Sequence, residues 1–228
     1  NQYGIPPFEE IKIEHYLPAF KKSIETHKAE IKEIIDNVEK PSFENVLNAM
    51  EKSGSDLNKV SRVFYNLLSA DSSDDLNKIA SEISPILSRH NDEIILNQEL
   101  FTKIKAIYEH RDNLDSEQRR LTEVIYKEFK SKGSLLDEEN RKQLQCFNEE
   151  LSTLSLKFNQ NVLKETNNFN MVIESASDLE GLPNDLIHIA KEQAIDAGME
   201  NKWLFKATRE NLYPFLTSSG KRELREQL

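Results

Sequence analysis

The chain has 228 residues, of which 31% are charged, and its formal net charge is −10. This acidic balance argues against binding to nucleic acid or to an anionic membrane surface, because both need clustered Lys and Arg. The single cysteine excludes an intrachain disulfide, and no run of 18 apolar residues is present to cross a membrane. With only six glycines and seven prolines, the composition favours a mainly helical fold.

The N-terminal part is predicted to enter an amphipathic helix after an extended opening. Pro6 and Pro7 favour extended backbone in "YGIPPF", and Pro18 is a favourable first residue of a helix. Apolar residues then recur at helical spacing along Phe20–Val38, with His27 in the same stripe. The spacing predicts one buried face on a helix that begins at Pro18.

Further helices are predicted up to residue 108. Pro41 interrupts the pattern, Ser42 is a predicted N-cap, and an apolar stripe follows along Phe43–Leu67. Another helix is predicted from about Ser73, with His90 on its apolar face. Asn97 is the predicted N-cap of a short helix after it.

The longest helix is predicted in the middle of the chain. Asp115 or Ser116 opens a helix that Gly133 closes, and Asp137 is the predicted N-cap of the next one. That next helix is predicted to run for roughly eight turns, because its apolar residues follow each other in steps of three or four. These apolar residues are Leu144, Phe147, Leu151, Leu154, Phe158 and Val162.

Beyond residue 167 two short strands are predicted. "NFNMVIES" and "KWLFKAT" are rich in β-branched and aromatic residues, and a helix with Pro183 at its start and Gly198 after its end lies between them. The strand pair is expected within Phe169–Ile173 and Trp203–Ala207. The predicted fold is therefore mainly α, with one small β-strand pair near the C-terminal end. Residues 1–167 are predicted to form an amphipathic helical domain, and residues 168–228 a strand–helix–strand segment that leads into a last helix.

The last stretch, "SSGKRELREQL", predicts a helix without a C-terminal stop. Ser219 or Gly220 is the predicted N-cap, and Leu224 and Leu228 share one face. No Gly, Asn or Pro follows to end the helix. We therefore expect a piece of a longer protein, in which the partners of these two leucines lie partly outside the 228 residues.

Residues suited to chemistry are scattered along the chain. No histidine is followed by glutamate, so the zinc motif His-Glu-x-x-His is absent. His27 and His90 lie on apolar stripes and are predicted to be core or boundary residues, and His15 to make a local hydrogen bond. Cys146 is predicted to be a half-buried apolar filler of the long helix. Accordingly, no catalytic, cofactor-binding or metal-binding residue is predicted in the chain.

Several stretches resemble one family in the order in which that family has them. They include "PPFEEIKIEHYLPAFKKSIETHKAEIKEI", "PSFENVLNAMEKSG", "ELSTLSLKFNQNVLKETN", "LEGLP" and "YPFLTSSGKRELREQL". Together they resemble the N-terminal region of the peptidyl-dipeptidase and oligopeptidase A group, zinc metallopeptidases of the thimet oligopeptidase family. Arg209–Asn211 departs from the family, which usually has a proline there, and is interpreted as a variation in a surface loop.

The resemblance implies a non-catalytic part of a larger enzyme. The full-length protein is expected to bind zinc and to hydrolyse oligopeptides, with this part in one wall of a substrate channel and the remaining catalytic region of the same chain as its partner. No cofactor and no activity are expected for the 228 residues alone. The alternative is a stand-alone helical interaction module, and the compartment stays open between cytoplasm and periplasm.

Overall fold

The computed structural model describes residues 5–71 and 73–228. Most of them are helical, and a two-stranded antiparallel sheet lies near the C-terminal end, which confirms the predicted fold class. Contacts divide the chain into two compact units, Asn1–Leu156 and Lys157–Leu228. This division lies inside the longest helix, whereas the predicted boundary between residues 167 and 168 lies near the end of that helix and stays a prediction.

The elements follow in chain order. The first unit contains α1 (Ile13–Asp36), a π-helical stretch (Phe43–Asn48) that continues into α2 (Ala49–Lys52), α3 (Ser55–Ala70), α4 (Asp74–Ile95), α5 (Gln98–Glu109), a 3₁₀ turn (Arg111–Asn113), α6 (Ser116–Ser131) and the first part of α7 (Glu138–Asn168). The second unit contains the rest of α7, β1 (Met171–Ile173), a 3₁₀ turn (Ala176–Leu179), α8 (Asn184–Asp196), β2 (Trp203–Phe205), α9 (Arg209–Ser218) and α10 (Arg222–Gln227).

The predicted helix caps of the first unit are confirmed. In each case a side-chain oxygen accepts a hydrogen bond from the backbone N–H three residues later, which satisfies a free donor of the first helical turn. The predicted caps are Ser42, Asn97, Asp115 and Asp137, and Ser73, which was predicted only as the approximate start of a helix, caps α4 in the same way. Gly133 follows the end of α6 with a φ of +102°, as expected for a residue that closes a helix.

The predicted limits of the first helix are wrong at both ends. α1 begins at Ile13 rather than Pro18, because the N–H of Lys12 donates to Nδ1 of His15 over 3.1 Å and so caps an earlier turn. Pro18 removes one backbone hydrogen bond without ending the helix. At the other end α1 stops at Asp36, and Val38 is 99% exposed beyond it. Of the predicted opening "YGIPPF", the first two residues lie outside the described residues, and Ile5–Pro7 are neither helix nor strand.

The first unit has two apolar clusters. In one, fully buried Phe64 of α3 makes edge-on ring contacts with Tyr16 and Phe20 of α1, at centroid distances of 5.1 and 5.3 Å. In the other, Leu47 packs with Leu100 and other residues of α1, α5 and α6. Both clusters include residues of α1, so this helix connects the two cores.

The second unit is built on the strand pair. Met171 pairs with Phe205 and Ile173 with Trp203, within the two predicted strand segments. Phe205 in turn contacts Phe215 of α9, with 4.9 Å between ring centroids. The small sheet is therefore stabilised by helices that cover it, as a two-stranded sheet requires.

Two expectations about the last residues need correction. Arg209–Asn211 do not form a surface loop: they are the first turn of α9, a helix that was not predicted, and Asn211 is buried. The N-cap of α10 is Lys221 rather than Ser219 or Gly220. Leu224 and Leu228 are partly buried against the core of the second unit, so both have partners within the 228 residues.

Candidate functional site: the outer face of helix α7

Helix α7 turns its apolar stripe towards solvent. Phe147 and Leu151 are each 62% exposed and Leu154 is 54% exposed, and we call these three residues the outer face of α7. In the part of α7 that belongs to the second unit, Phe158 and Val162 are exposed as well. No residue of α7 is fully buried. The helix itself was predicted correctly, but apart from Leu144 its apolar stripe does not form the contact with the core that such a stripe usually makes.

The contact with the body of the first unit is made largely by polar residues of α7. Asn148 Nδ2 donates to both carboxylate oxygens of Asp92 on α4, over 2.9 and 3.1 Å. Arg89 Nη2 of α4 donates to both oxygens of Glu149, over 2.8 and 3.1 Å. Leu144 and Leu156 add apolar contacts with the two cores. The inner side of α7 is thus more polar than its outer side.

Asp92 explains why α7 keeps this rotation about its axis. The Asp92 side chain is buried, and burial raises its pKa above the ordinary value although Asn148 and Lys132 act in the opposite direction. Consecutive residues on an α-helix are about 100° apart, so Asn148 and Leu151, which are three residues apart, point in directions about 60° apart, and a rotation that buried Leu151 fully would turn Asn148 away from Asp92. A buried carboxylate without a partner costs several kcal/mol, which outweighs burial of one leucine at about 2 kcal/mol.

A groove runs beside the outer face. Its volume is about 750 Å³, and it is lined by residues of α4, of the end of α6, of the α6–α7 loop and of α7, most of them polar like Asp92 and some apolar like Leu151. Leu135 and Leu136 of the loop also line the groove and are exposed. The loop is held in place at buried Ser134, whose Oγ lies 2.7 Å from the carbonyl oxygen of Ile95. The outer face therefore borders a preformed concave surface with apolar residues on both sides.

The structure also brings His27 of α1 and His90 of α4 together, although they are 63 residues apart in the sequence. His90 Nε2 lies 3.0 Å from His27 Nδ1, and His27 Nε2 lies 3.2 Å from Ser53 Oγ. Ser53 Oγ donates to the Met50 carbonyl oxygen, so it accepts from His27 Nε2–H. His27 Nδ1 then accepts from His90 Nε2–H. This leaves the buried Nδ1 of His90 unprotonated, and it has no hydrogen-bond partner within the described residues.

The surroundings of the pair disfavour a second proton. Burial, together with His27 and Lys28, lowers the pKa of His90 to about 4, and Glu93 opposes this only in part. Burial also lowers the pKa of His27, with Glu30 acting in the opposite direction. The His27 ring of α1 can lie close to the turn before α3 because Gly54 in that turn has no side chain. A Cβ on Gly54 would lie 2.8 Å from the His27 ring. The pair is a neutral structural link between two helices.

The pair does not fit a metal site. Each imidazole already uses one nitrogen to bind the other ring, and within residues 5–71 and 73–228 no three His, Cys, Asp or Glu side chains are arranged to hold an ion. His110 binds the carbonyl oxygen of Ala106, and His188 approaches Glu192 at 3.4 Å. Cys146 is exposed rather than half-buried as predicted, because it lies beside the outward-facing stripe. In the described part of the chain, no helix is long and apolar enough to span a membrane.

Known proteins with similar sequences are peptidases by name. The chain is 34% identical to a dipeptidyl carboxypeptidase of Escherichia coli strain K12, over 99% of the chain and 34% of the relative. It is 26% identical to an organellar oligopeptidase A of Arabidopsis thaliana, over 100% of the chain and 30% of the relative. It is also 26% identical to an oligopeptidase A of Haemophilus influenzae, over 100% of the chain and 34% of the relative. No family model matches the chain.

These similarities confirm the resemblance to the N-terminal region of the peptidyl-dipeptidase and oligopeptidase A group. The chain spans about a third of the length of the curated relatives it matches. Its relatives therefore contain a large region with no counterpart among the residues described above.

Proposed function

We propose that these residues form the non-catalytic N-terminal part of a zinc-dependent peptidyl-dipeptidase or oligopeptidase that hydrolyses short peptides. The observation that carries this proposal is the similarity to a dipeptidyl carboxypeptidase along 99% of the chain. A similarity confined to one helix would indicate only a shared structural element. A match over the full extent of both units instead indicates common descent of the whole region.

The proposed zinc belongs to the remaining region of the full-length protein. The described residues do not fit the metal, since the two histidines that approach each other bind one another and no third ligand is arranged with them. For the part described above, we propose a role in one wall of the substrate channel. The side-chain hydrogen bonds that join α4 to α1 and to α7 support this role, because a wall that admits peptides and excludes folded proteins must be rigid.

The test is a peptidase assay on the full-length protein and on the 228-residue chain. We expect the full-length protein to cleave an internally quenched oligopeptide, to lose activity with a chelator and to regain it with zinc. The 228-residue chain at the same concentration should release no product. Peptides with a free and with an amidated C-terminus separate the two enzyme classes, because only release of a C-terminal dipeptide requires the free carboxylate. A full-length protein that binds zinc but cleaves no peptide in a broad library would contradict the proposal.

The alternative is a stand-alone helical interaction module, and one observation favours it. The outer face of α7 offers Phe147, Leu151 and Leu154 to solvent, as a surface that binds an amphipathic helix would. An inactive full-length protein that binds a foreign helical peptide through these residues would favour this reading over the peptidase.

A further inference from the structure

We infer that the outer face of α7 and the groove beside it hold a helix of the same polypeptide, from the region that lies outside these 228 residues. This inference rests on the proposed function only in that the chain is part of a longer protein like its relatives. It differs from the channel wall proposed above, because a surface covered by another part of the protein is closed to substrate.

The chemistry of the surface indicates an apolar partner. Phe147, Leu151 and Leu154 are separated by four and three residues. This is the spacing with which one helix contacts another along a seam. Soluble monomeric proteins rarely leave a contiguous series of large apolar side chains uncovered. Leu135 and Leu136 extend the apolar area across the groove, where the partner helix would meet them.

The orientation of α7 about its axis is held by specific contacts, so the exposure of its outer face does not result from weak packing. Asn148 and Asp92 hold the inner side, so α7 cannot bury Leu151 against its own unit without leaving the Asp92 carboxylate unpaired. Ser134 fixes the loop that forms the opposite side of the groove. The binding surface exists before the partner arrives, which limits the ordering cost of binding.

The length of the relatives supports a partner within the same chain. The described chain covers 34% of the Escherichia coli dipeptidyl carboxypeptidase, so about two thirds of such a protein remains to provide the helix. A segment of the same polypeptide is present at a high effective concentration and loses less translational freedom than a second molecule. A second copy of the chain could offer the same seam only by dimerisation, which the test below detects.

The test compares Leu151→Asp with Val38→Asp in the full-length protein and in the 228-residue chain. Both positions are exposed apolar residues of the first unit, but Val38 lies away from the groove. We expect Leu151→Asp to raise the rate of thermolysin cleavage of the full-length protein at least about tenfold, since a buried unpaired charge costs several kcal/mol. Val38→Asp should leave that rate unchanged, and in the 228-residue chain Leu151→Asp should raise the rate much less than in the full-length protein, because Leu151 is already 62% exposed there.

Two results would overturn the inference. One is a full-length Leu151→Asp variant that is as resistant as Val38→Asp. The other is a full-length protein that elutes as a dimer and becomes monomeric with Leu151→Asp, which would assign the face to a second copy. If full-length Leu151→Asp does not accumulate, Leu151→Ala is a milder change. It should also raise the cleavage rate of the full-length protein above that of Val38→Asp. Peptidase activity is measured separately. A full-length parent protein that resists thermolysin but cleaves no peptide would therefore contradict the proposed function and not this inference.

Discussion

Phe64→Ala is expected to lower the free energy of unfolding of the first unit by about 3–5 kcal/mol. The ring is fully buried between α1, α3 and α4, and three aromatic rings contact it, those of Tyr16, Phe20 and Tyr65. Removing it opens a cavity that the surrounding helices cannot fill completely. Urea unfolding of the 228-residue chain, followed by circular dichroism, measures the change.

Phe147→Ala is the matched control, because it removes the same side chain from the same unit. Phe147 is 62% exposed, so the free energy of unfolding should change by no more than about 0.5 kcal/mol. A loss similar to that of Phe64→Ala would show that α7 packs its apolar stripe against the core, contrary to the structure. Phe64→Leu provides a smaller cavity if Phe64→Ala does not fold.

As the pH falls from 7 to 4, protonation of His90 is expected to lower the free energy of unfolding of the 228-residue chain by about 3 kcal/mol. The pKa of His90 is about 4 in the folded protein, and an unfolded histidine has a value near 6.5. Unfolded His90 therefore takes up its proton at a higher pH, which favours the unfolded state. The contribution of His90 to stability is complete above about pH 6.5, falls below it and levels off below about pH 4.

His90→Leu tests this origin of the pH dependence, because leucine cannot take up a proton. Urea unfolding at several pH values should give a much flatter curve between pH 7 and 4 for His90→Leu than for the parent. His188→Leu is the control for the removal of one histidine, since His188 is exposed. The comparison uses the slope with pH, so a general loss of stability in His90→Leu does not affect it. Equal slopes for all three proteins would exclude His90 as the cause.

The sequence predicts helices and their caps well, because both depend on nearby residues. Ser42, Asn97 and Asp137 each bind a backbone N–H three residues away, so a short stretch of sequence contains the whole interaction. The strand segments around Met171 and Trp203 are predicted for the same reason. The start of α1 was missed because His15 acts as a capping residue there, which its type does not suggest.

The candidate site could not be predicted, because it depends on contacts between distant residues. The stripe of Phe147 and Leu151 favours a buried face, whereas α7 is oriented by contacts between distant residues, such as that of Asn148 with Asp92, 56 residues before it. His27 and His90 are likewise joined by the packing of α1 on α4 and by the space that Gly54 leaves. Nothing in the spacing of either pair indicates that they meet.

The covering of the outer face of α7 can be measured directly by hydroxyl-radical footprinting with mass spectrometry. Phe147 and Leu151 should be labelled readily in the 228-residue chain, while buried Phe64 should be labelled little in either protein. In the full-length protein, labelling of Phe147 and Leu151 should fall to the level of Phe64. If both residues are labelled as strongly in the full-length protein as in the 228-residue chain, no other part of the polypeptide covers this face.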